Sequence, residues 1–131
     1  MKHIVFVYGT LRKGFYNHRL LENATFSDTG SAYGVRLYDV GPFPAVLPTS
    51  DGKGAVHGEL YEVDDETLTR LDRLEGVPHL FRRELVWCDY DHESDYEELY
   101  AWVYLWNGDP DRLTPIPCGD YQEFKDAITT L

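Results

Sequence analysis

Basic residues and cysteines are scarce in this sequence. Lys and Arg number 12 against 23 Asp and Glu, and the formal net charge of −11 repels phosphate backbones and anionic membrane surfaces. We therefore expect neither nucleic acid nor a membrane as a partner. The two cysteines, Cys88 and Cys118, form no CxxC pair, so neither a disulfide framework nor a zinc site is indicated and a reducing compartment fits best.

Long hydrophobic runs are also missing from the sequence. The apolar run near the N-terminus, Ile4 to Val7, is too short for a signal peptide, and no stretch approaches the length of a membrane-spanning helix. We expect a cytoplasmic protein.

The 131 residues are 43% hydrophobic and 27% charged, which is typical of one compact globular domain, so we predict a single domain over residues 1–131.

Short strand-like segments bounded by Gly, Pro, Asn and Asp predict a small sheet or barrel. The predicted strands are Ile4–Val7, Val35–Tyr38, Val56–Tyr61, Phe81–Tyr90 and Leu99–Trp106. The last two form a hairpin joined by an acidic, solvated turn over residues 91–98, and the second arm, apolar on both faces, is expected to be central. Residues 41–54, rich in Gly and Pro, are predicted to form one long irregular loop of the kind that often borders a site.

Two or three short helices complete the predicted α+β fold. Asp64 is a suitable N-cap for a helix over residues 65–75, which Gly76 and Pro78 end. A capping box at residues 120–123 starts a C-terminal helix that carries Phe124, Ile128 and Leu131. Residues 17–22 are a candidate for a third short helix.

Glu75, at the end of the helix over 65–75, is the most informative candidate for chemistry. Three leucines define the apolar face of this helix: Leu68, Leu71 and Leu74. Glu75 follows Leu71 by four residues, so it lies on or beside the buried face, where burial and the helix dipole both raise the pKa of its carboxyl group. Such a group is suited to proton transfer near neutral pH. The alternative is that the last turn frays and Glu75 faces water, or that it pairs with Arg82 or Arg83.

The segment Tyr8-Gly9-Thr10-Leu11 follows the first strand directly. Glycine there lets the backbone turn sharply, so that consecutive N–H groups can converge on one anionic oxygen, such as that of a carboxylate. The alternative is an ordinary turn at the end of a strand, and these four residues alone do not decide between the two.

Other candidates for chemistry are weaker. The five histidines show no ligand pair at the spacing of a helical turn or of His-x-His, and no glycine-rich phosphate loop or G-x-S-x-G element is present. We therefore predict no metal and no cofactor. Cys88 and Cys118 are interpreted as packing or surface thiols, and the three tryptophans as core or sheet-face aromatics.

Four segments in a fixed order carry more information together than separately: Val7–Leu11, Gly58–Tyr61, Leu71–Glu75 and Phe81–Arg83. Their combination, with Pro44 in the loop and Gly119-Asp120-Tyr121 near the end, resembles the gamma-glutamylcyclotransferase-like (AIG2-like) family, including gamma-glutamylamine cyclotransferases. The resemblance covers most of the chain and is closest to the short members of the family.

The resemblance implies a small mixed β-barrel flanked by short helices, with a cavity at the glycine turn. The family's YG(S/T)L motif, the cradle for the glutamyl head group, maps onto four residues: Tyr8, Gly9, Thr10 and Leu11. The family's acid/base glutamate maps onto Glu75. Arg83 matches the arginine of its Y-x-R element, and the resemblance implies that Arg83 binds substrate. The tyrosine of that element is Phe81 here, so the hydrogen bond of its phenol is missing.

The activity implied by the resemblance is an intramolecular acyl transfer without a cofactor. The α-amine of a γ-glutamyl compound attacks its own γ-carbonyl, and 5-oxoproline and a free amine leave. The leaving group stays open among a simple amine, an ε-lysyl group, an amino acid and a larger carrier. The alternative is a non-catalytic small-molecule-binding or interaction module of the same fold, which Phe81 favours slightly and which Glu75 and the glycine turn oppose. The sequence gives no prediction of oligomeric state.

Overall fold

The computed structural model describes residues 1–92 and 99–129. Its strands are β1 (Lys2–Val7), β2 (Thr25–Tyr33), β3 (Val35–Asp39), β4 (Pro44–Pro48), β5 (Ala55–Asp64), β6 (Phe81–Tyr90), β7 (Leu99–Trp106) and β8 (Thr114–Pro115). Its α-helices are α1 (Asp65–Leu74) and α2 (Tyr121–Thr129), and short 3₁₀ helices span His18–Leu21 and Pro110–Arg112. Within the described residues, no helix has the length and apolar character needed to cross a lipid bilayer.

Five strands close into a barrel in the order β1-β5-β2-β6-β7. Neighbours pair antiparallel except where β7 closes onto β1, a parallel contact that places Val5 beside Trp102. A second sheet has the order β4-β3-β8. The predicted α+β class, a small mixed barrel with short flanking helices, is confirmed.

Alternation along β1 divides the core in two. Phe6 and Tyr8 pack into one buried cluster, whereas Val5 and Val7 belong to a second cluster that also contains Leu71 of α1. Successive side chains of a strand point to opposite faces, so one strand serves both clusters. Complete burial of the Leu71 side chain stabilises the docking of α1 on the barrel by roughly 2 kcal/mol.

The helix predicted at 65–75 is present as α1. The side chain of Asp64 accepts a hydrogen bond of 2.7 Å from the N–H of Thr67, as an N-cap does. The helix ends at Leu74 with Glu75 as its C-cap, and Gly76 follows at a φ of +65°, the left-handed conformation that ends many helices. Glu75 is thus held in a formed helix end.

The C-terminal helix is likewise confirmed, since Asp120 accepts a hydrogen bond of 3.1 Å from the N–H of Glu123. Its Ile128 is exposed, however, and Leu131 lies outside the described residues. The helix predicted over residues 17–22 is a single 3₁₀ turn. Most of the acidic turn, residues 93–98, also lies outside the described part of the chain.

The prediction of one irregular loop over residues 41–54 is wrong. Residues Pro44–Pro48 form β4, which pairs antiparallel with β3 and buries Ala45 and Val46. Proline is tolerated here because β4 is an edge strand and both prolines stand at its ends. The prolines that argued for a loop therefore delimit a strand.

Strand β2 has no counterpart in the sequence-based prediction. Its inward positions, Asp28, Gly30 and Ala32, are small or polar, so the strand lacks the apolar alternation that identifies the others. Gly30 is required there, because a Cβ atom would lie 2.1 Å from the carbonyl oxygen of Asp89 on β6. Close approach of two backbones replaces side-chain packing at this point.

Candidate active site

A cavity of about 170 Å³ lies where the end of β1 approaches the end of α1. Its lining includes five of the six residues that the sequence singled out: Tyr8, Gly9, Thr10, Leu11 and Glu75. The turn and the glutamate are more than sixty residues apart in the chain. The barrel brings them together because β1 and α1 pack through the same buried cluster.

The turn after β1 leaves its amide groups available. The carbonyl oxygens of Gly9 and Thr10 accept hydrogen bonds from the N–H groups of Arg12 (3.0 Å) and Asn17 (3.1 Å), and that of Leu11 accepts from the ring of His18 (3.0 Å). The N–H groups of residues 9–11 have no acceptor among the described residues. Three consecutive donors at the edge of a cavity are suited to bind a carboxylate or another oxyanion.

Gly9 is needed for a reason other than the predicted one. Its φ is not in the left-handed region, but a Cβ atom there would lie 2.6 Å from Cγ of Pro44. Close packing of β4 against the turn therefore excludes a side chain at this position. Thr10 is also fixed, since its hydroxyl oxygen accepts a hydrogen bond of 3.0 Å from the side-chain amide of Asn17.

Glu75 is half-buried, and its carboxyl group faces the cavity without a charged partner. Burial raises the pKa of this group to about 7. Pairing with Arg82 or Arg83 is not found, because Arg82 binds Glu84 and Arg83 binds Asp72. Within the described residues the carboxyl group of Glu75 has no hydrogen bond or ion pair.

Two buried tyrosines surround this carboxyl group. The hydroxyl of Tyr8 donates a hydrogen bond of 2.7 Å to the carbonyl oxygen of Tyr104, and that of Tyr104 donates one of 2.8 Å to Asp72. Burial, followed by the negative charge of Glu75, raises the pKa of Tyr8 well above its usual value. Burial and the hydrogen bond to Asp72 raise the pKa of Tyr104 as well. Both phenols are therefore neutral donors at physiological pH.

Comparison with known proteins identifies the family. Residues 5–123 match the family described as Gamma-glutamyl cyclotransferase, AIG2-like. The chain belongs to this family. It is 33% identical over 117 residues to the Gamma-glutamylcyclotransferase family protein YtfP of Escherichia coli, covering 89% of this chain and 94% of that protein. The resemblance found in the sequence is confirmed.

Two further relatives extend the comparison. The Gamma-L-glutamyl-butirosin B gamma-glutamyl cyclotransferase of Niallia circulans is 37% identical over 112 residues, covering 80% of this chain and 67% of that protein. The crystal structure of an AIG2-like protein of Mus musculus matches with a TM-score of 0.78 at 29% identity, covering 92% of this chain and 88% of that one. Sequence and architecture therefore agree across the gamma-glutamyl cyclotransferase family.

Arg83, the sixth predicted site residue of this family member, does not line the cavity. Its guanidinium group donates two hydrogen bonds to the carboxylate of Asp72, at 2.8 and 3.1 Å, and lies 4.2 Å from the ring centre of Trp102. Asp72 precedes Glu75 by three residues on α1. Arg83 therefore connects β6 to the last turn of α1, and its predicted contact with substrate stays a prediction without geometric support.

Phe81, which replaces the tyrosine of the family's Y-x-R element, lines the cavity and is 2% exposed. Its ring makes an edge contact with Trp106 at 5.2 Å between centroids and lies 6.0 Å from Phe43. The missing hydroxyl leaves an aromatic, apolar surface at this point of the cavity.

A buried ionic network behind the turn was not predicted. Arg12 donates hydrogen bonds to Glu59 (3.4 Å) and to Asp120 (2.9 Å), and Glu59 also accepts from the hydroxyl of Tyr61 (2.8 Å). Two of the family's sequence segments, 58–61 and 119–121, thus meet at the residue that follows the glycine turn. Glu59 is engaged here rather than in the cavity.

In the described part of the chain, no group of three or more His, Cys, Asp or Glu side chains is placed to hold a metal ion. The cavity does offer amide N–H groups, which are suited to binding an organic anion, and one carboxyl group, which is suited to proton transfer.

Proposed function

We propose that the protein is an enzyme that cyclises the glutamyl group of a γ-glutamyl compound to 5-oxoproline and releases an amine or an amino acid. The observation that carries this proposal is the meeting of two features in one cavity. One is the carboxyl group of Glu75, with its raised pKa, and the other is the set of free N–H groups at residues 9–11. Membership of the gamma-glutamyl cyclotransferase family supports the same reaction.

The reaction needs little from the protein beyond orientation and proton transfer. The nucleophile and the carbonyl are parts of one substrate, so binding in a folded conformer brings them together, and oriented intramolecular reactions reach effective molarities on the order of 10⁵ M or more. The new bond joins the α-nitrogen to the γ-carbon, and the bond from the γ-carbon to the leaving nitrogen breaks. Atoms balance without a cofactor.

In this proposal Glu75 moves the proton. As a carboxylate it accepts a proton from the α-ammonium group, which frees the nitrogen lone pair for attack. As a carboxylic acid it then donates that proton to the departing nitrogen. The ring nitrogen loses one further proton when the lactam forms, and the released amine takes up this proton and leaves as an ammonium ion. A pKa of about 7 allows both forms at neutral pH, which is the condition for a group that serves as base and acid in turn.

The turn binds the charged part of the substrate. The N–H groups of Gly9, Thr10 and Leu11 hold the α-carboxylate or the oxyanion that develops on the γ-carbonyl. Tyr8 lines the cavity with its hydroxyl bound to Tyr104, so it shapes the pocket rather than transferring a proton. Arg83 acts through Asp72 as a positioning residue for the end of α1.

A product assay tests the proposal against the alternative of a non-catalytic binding module. Purified protein is incubated with a panel of γ-glutamyl amines and γ-glutamyl amino acids, and 5-oxoproline is quantified by mass spectrometry. Formation of 5-oxoproline by the wild-type protein, lost in Glu75→Gln, is the expected result. Saturable binding of these compounds without 5-oxoproline would instead establish the binding module. We propose a cytoplasmic location for this reaction, because two cysteines without a CxxC pair fit a reducing compartment.

A further inference from the structure

The cavity contains very little charge beyond Glu75. Among the described residues that line it, Glu75 is the only one with a carboxyl, ammonium, guanidinium or imidazole group. The remaining polar groups are the backbone of residues 9–11, the hydroxyl of Thr10, the amide of Asn17 and three phenols. The proposed function already uses the turn and Glu75, so the rest of the lining is available to contact the leaving group.

That remaining lining is largely apolar. Phe43, Leu80 and Phe81, which we call the apolar wall, include two rings 6.0 Å apart and a leucine next to Phe81 in the chain. Leu80 is 44% exposed, and Leu74, also in the lining, is 40% exposed. Large aliphatic side chains left in water at the edge of a cavity are typical of a surface that an apolar ligand covers.

A charged leaving group would find no partner there. Moving an ammonium or carboxylate group out of water against apolar side chains is unfavourable unless an opposite charge or hydrogen bonds replace the lost hydration. Glu75 does not fill this role for an ammonium group, because it must change its own charge during the reaction. A carboxylate on the leaving group would be repelled by Glu75 and by the net charge of −11.

We propose that the amine released by this enzyme is an apolar monoamine, alkyl or arylalkyl, whose hydrocarbon part rests on the apolar wall. This inference rests on the proposed cyclisation and adds the class of the leaving group to it. Phe81 contributes directly, since its side chain carries no hydroxyl that would need a partner beside the hydrocarbon.

Two pairs of substrates test the inference, each pair differing by one charge. The first pair is the γ-glutamyl amide of n-hexylamine and that of 1,5-diaminopentane, in which an ammonium group replaces the terminal methyl. The second is γ-glutamyl-phenethylamine and γ-glutamyl-phenylalanine, which differ by one carboxylate. We expect kcat/KM for the uncharged member of each pair to be at least about tenfold higher.

The outcomes separate this inference from the proposed function. Equal or faster turnover of the charged members would overturn the apolar leaving group and leave the cyclisation intact. Absence of 5-oxoproline from all four compounds would overturn the cyclisation. In that case calorimetric affinities for the same four compounds decide whether the cavity prefers an uncharged hydrocarbon group, with the same tenfold preference expected and equal affinities contradicting it.

A pair of charge variants tests whether the preference for an uncharged leaving group arises at the apolar wall. Leu80→Glu places a carboxylate beside the leaving group, and we expect it to shift the ratio of kcat/KM between the first two substrates at least tenfold toward the diamine. Leu85→Glu is the matched control, because Leu85 is 54% exposed and outside the cavity lining. It should keep the wild-type ratio. Circular dichroism checks that both variants fold, and identical ratios in Leu80→Glu and the wild type would contradict the inference.

Discussion

Glu75 differs from an ordinary surface carboxylate, because burial raises its pKa to about 7. Replacing it with Gln keeps the size of the side chain and removes the titrating group. We expect kcat for 5-oxoproline formation to fall about 10²- to 10⁴-fold, the usual contribution of a general acid/base, while substrate affinity is retained. Glu84→Gln is a suitable control, since Glu84 is exposed and pairs with Arg82 outside the cavity. Full activity in Glu75→Gln would show that another group transfers the proton.

The pH dependence of the reaction should report the same carboxyl group. Glu75 must be ionised to accept the first proton, so kcat/KM should rise with pH and level off above the pKa of about 7 that burial gives this group. With an ordinary glutamate, this rising part of the pH profile, its acid limb, would lie near pH 4.3. Rate profiles between pH 5 and 9 measure it. A limb near 4, or a limb near 7 that persists in the residual activity of Glu75→Gln, would assign the titration to a different group.

Arg83 shows what a family resemblance leaves open about a site. The resemblance assigns Arg83 to substrate binding, which stays a prediction, and in the structure the guanidinium group of Arg83 binds Asp72. The register of β6 and β7 places Arg83 opposite Tyr104 and completes the network. Sequence periodicity finds each of these elements, whereas the pairing between them depends on the closed barrel.

At the scale of elements, the Arg83–Asp72 pair fixes how α1 meets the barrel. In Arg83→Met the helix end loses this connection, and Glu75 becomes more hydrated. We expect kcat to fall while KM changes little. The acid limb of kcat/KM should also move to lower pH, because hydration lowers the raised pKa of Glu75 toward its ordinary value. A higher KM with an unmoved limb would instead assign Arg83 to direct substrate binding. Arg82→Met is the matched control, since Arg82 is partly exposed and pairs with Glu84.

The contact between the glycine turn and β4 gives a second prediction at this scale. Gly9→Ala forces the turn away from Pro44, since the new methyl group would lie 2.6 Å from its ring. Overpacking of this kind costs roughly 1–3 kcal/mol, and the displaced N–H groups should raise KM at least tenfold. The double variant Gly9→Ala with Pro44→Ala removes the clash and should recover part of both losses. Denaturant melts and steady-state kinetics measure them, and an unchanged KM in the single variant would remove the turn from the binding site.

The same contact shows why some elements could be predicted and others could not. The strand β1 and the helix α1 carry apolar periodicities and caps of their own, so their residues identify them. In contrast, β4 is bounded by prolines, and β2 is held by backbone approach at Gly30. Neither has a local pattern of its own. The cavity forms between predicted and unpredicted elements. Its polar end and Phe81 of the apolar wall could therefore be found in the sequence, whereas Phe43, next to the unpredicted β4, could not.

For the whole molecule, Arg12 connects three distant parts of the chain. It lies just after the glycine turn and binds Glu59 on β5 and Asp120, the N-cap of α2. Burial would raise the pKa of Asp120, but the hydrogen bonds from the N–H of Glu123 and from Arg12 hold it below its usual value. Arg12 therefore connects the C-terminal helix and the barrel to the glycine turn.

Removing that cation should destabilise the entire fold. In Arg12→Met the carboxylates of Glu59 and Asp120 lose their buried partner, and loss of one side of a buried ion pair costs about 3–5 kcal/mol. Chemical denaturation should show this loss at pH 7. The loss should shrink as the pH falls, because protonation of Asp120, whose pKa Arg12 helps to hold below its usual value, removes part of the uncompensated charge. Arg70→Met is the matched control, because its pairing with Glu66 is exposed and contributes under about 1 kcal/mol. Equal stability of the two variants at pH 7 would show that the turn holds its shape without Arg12.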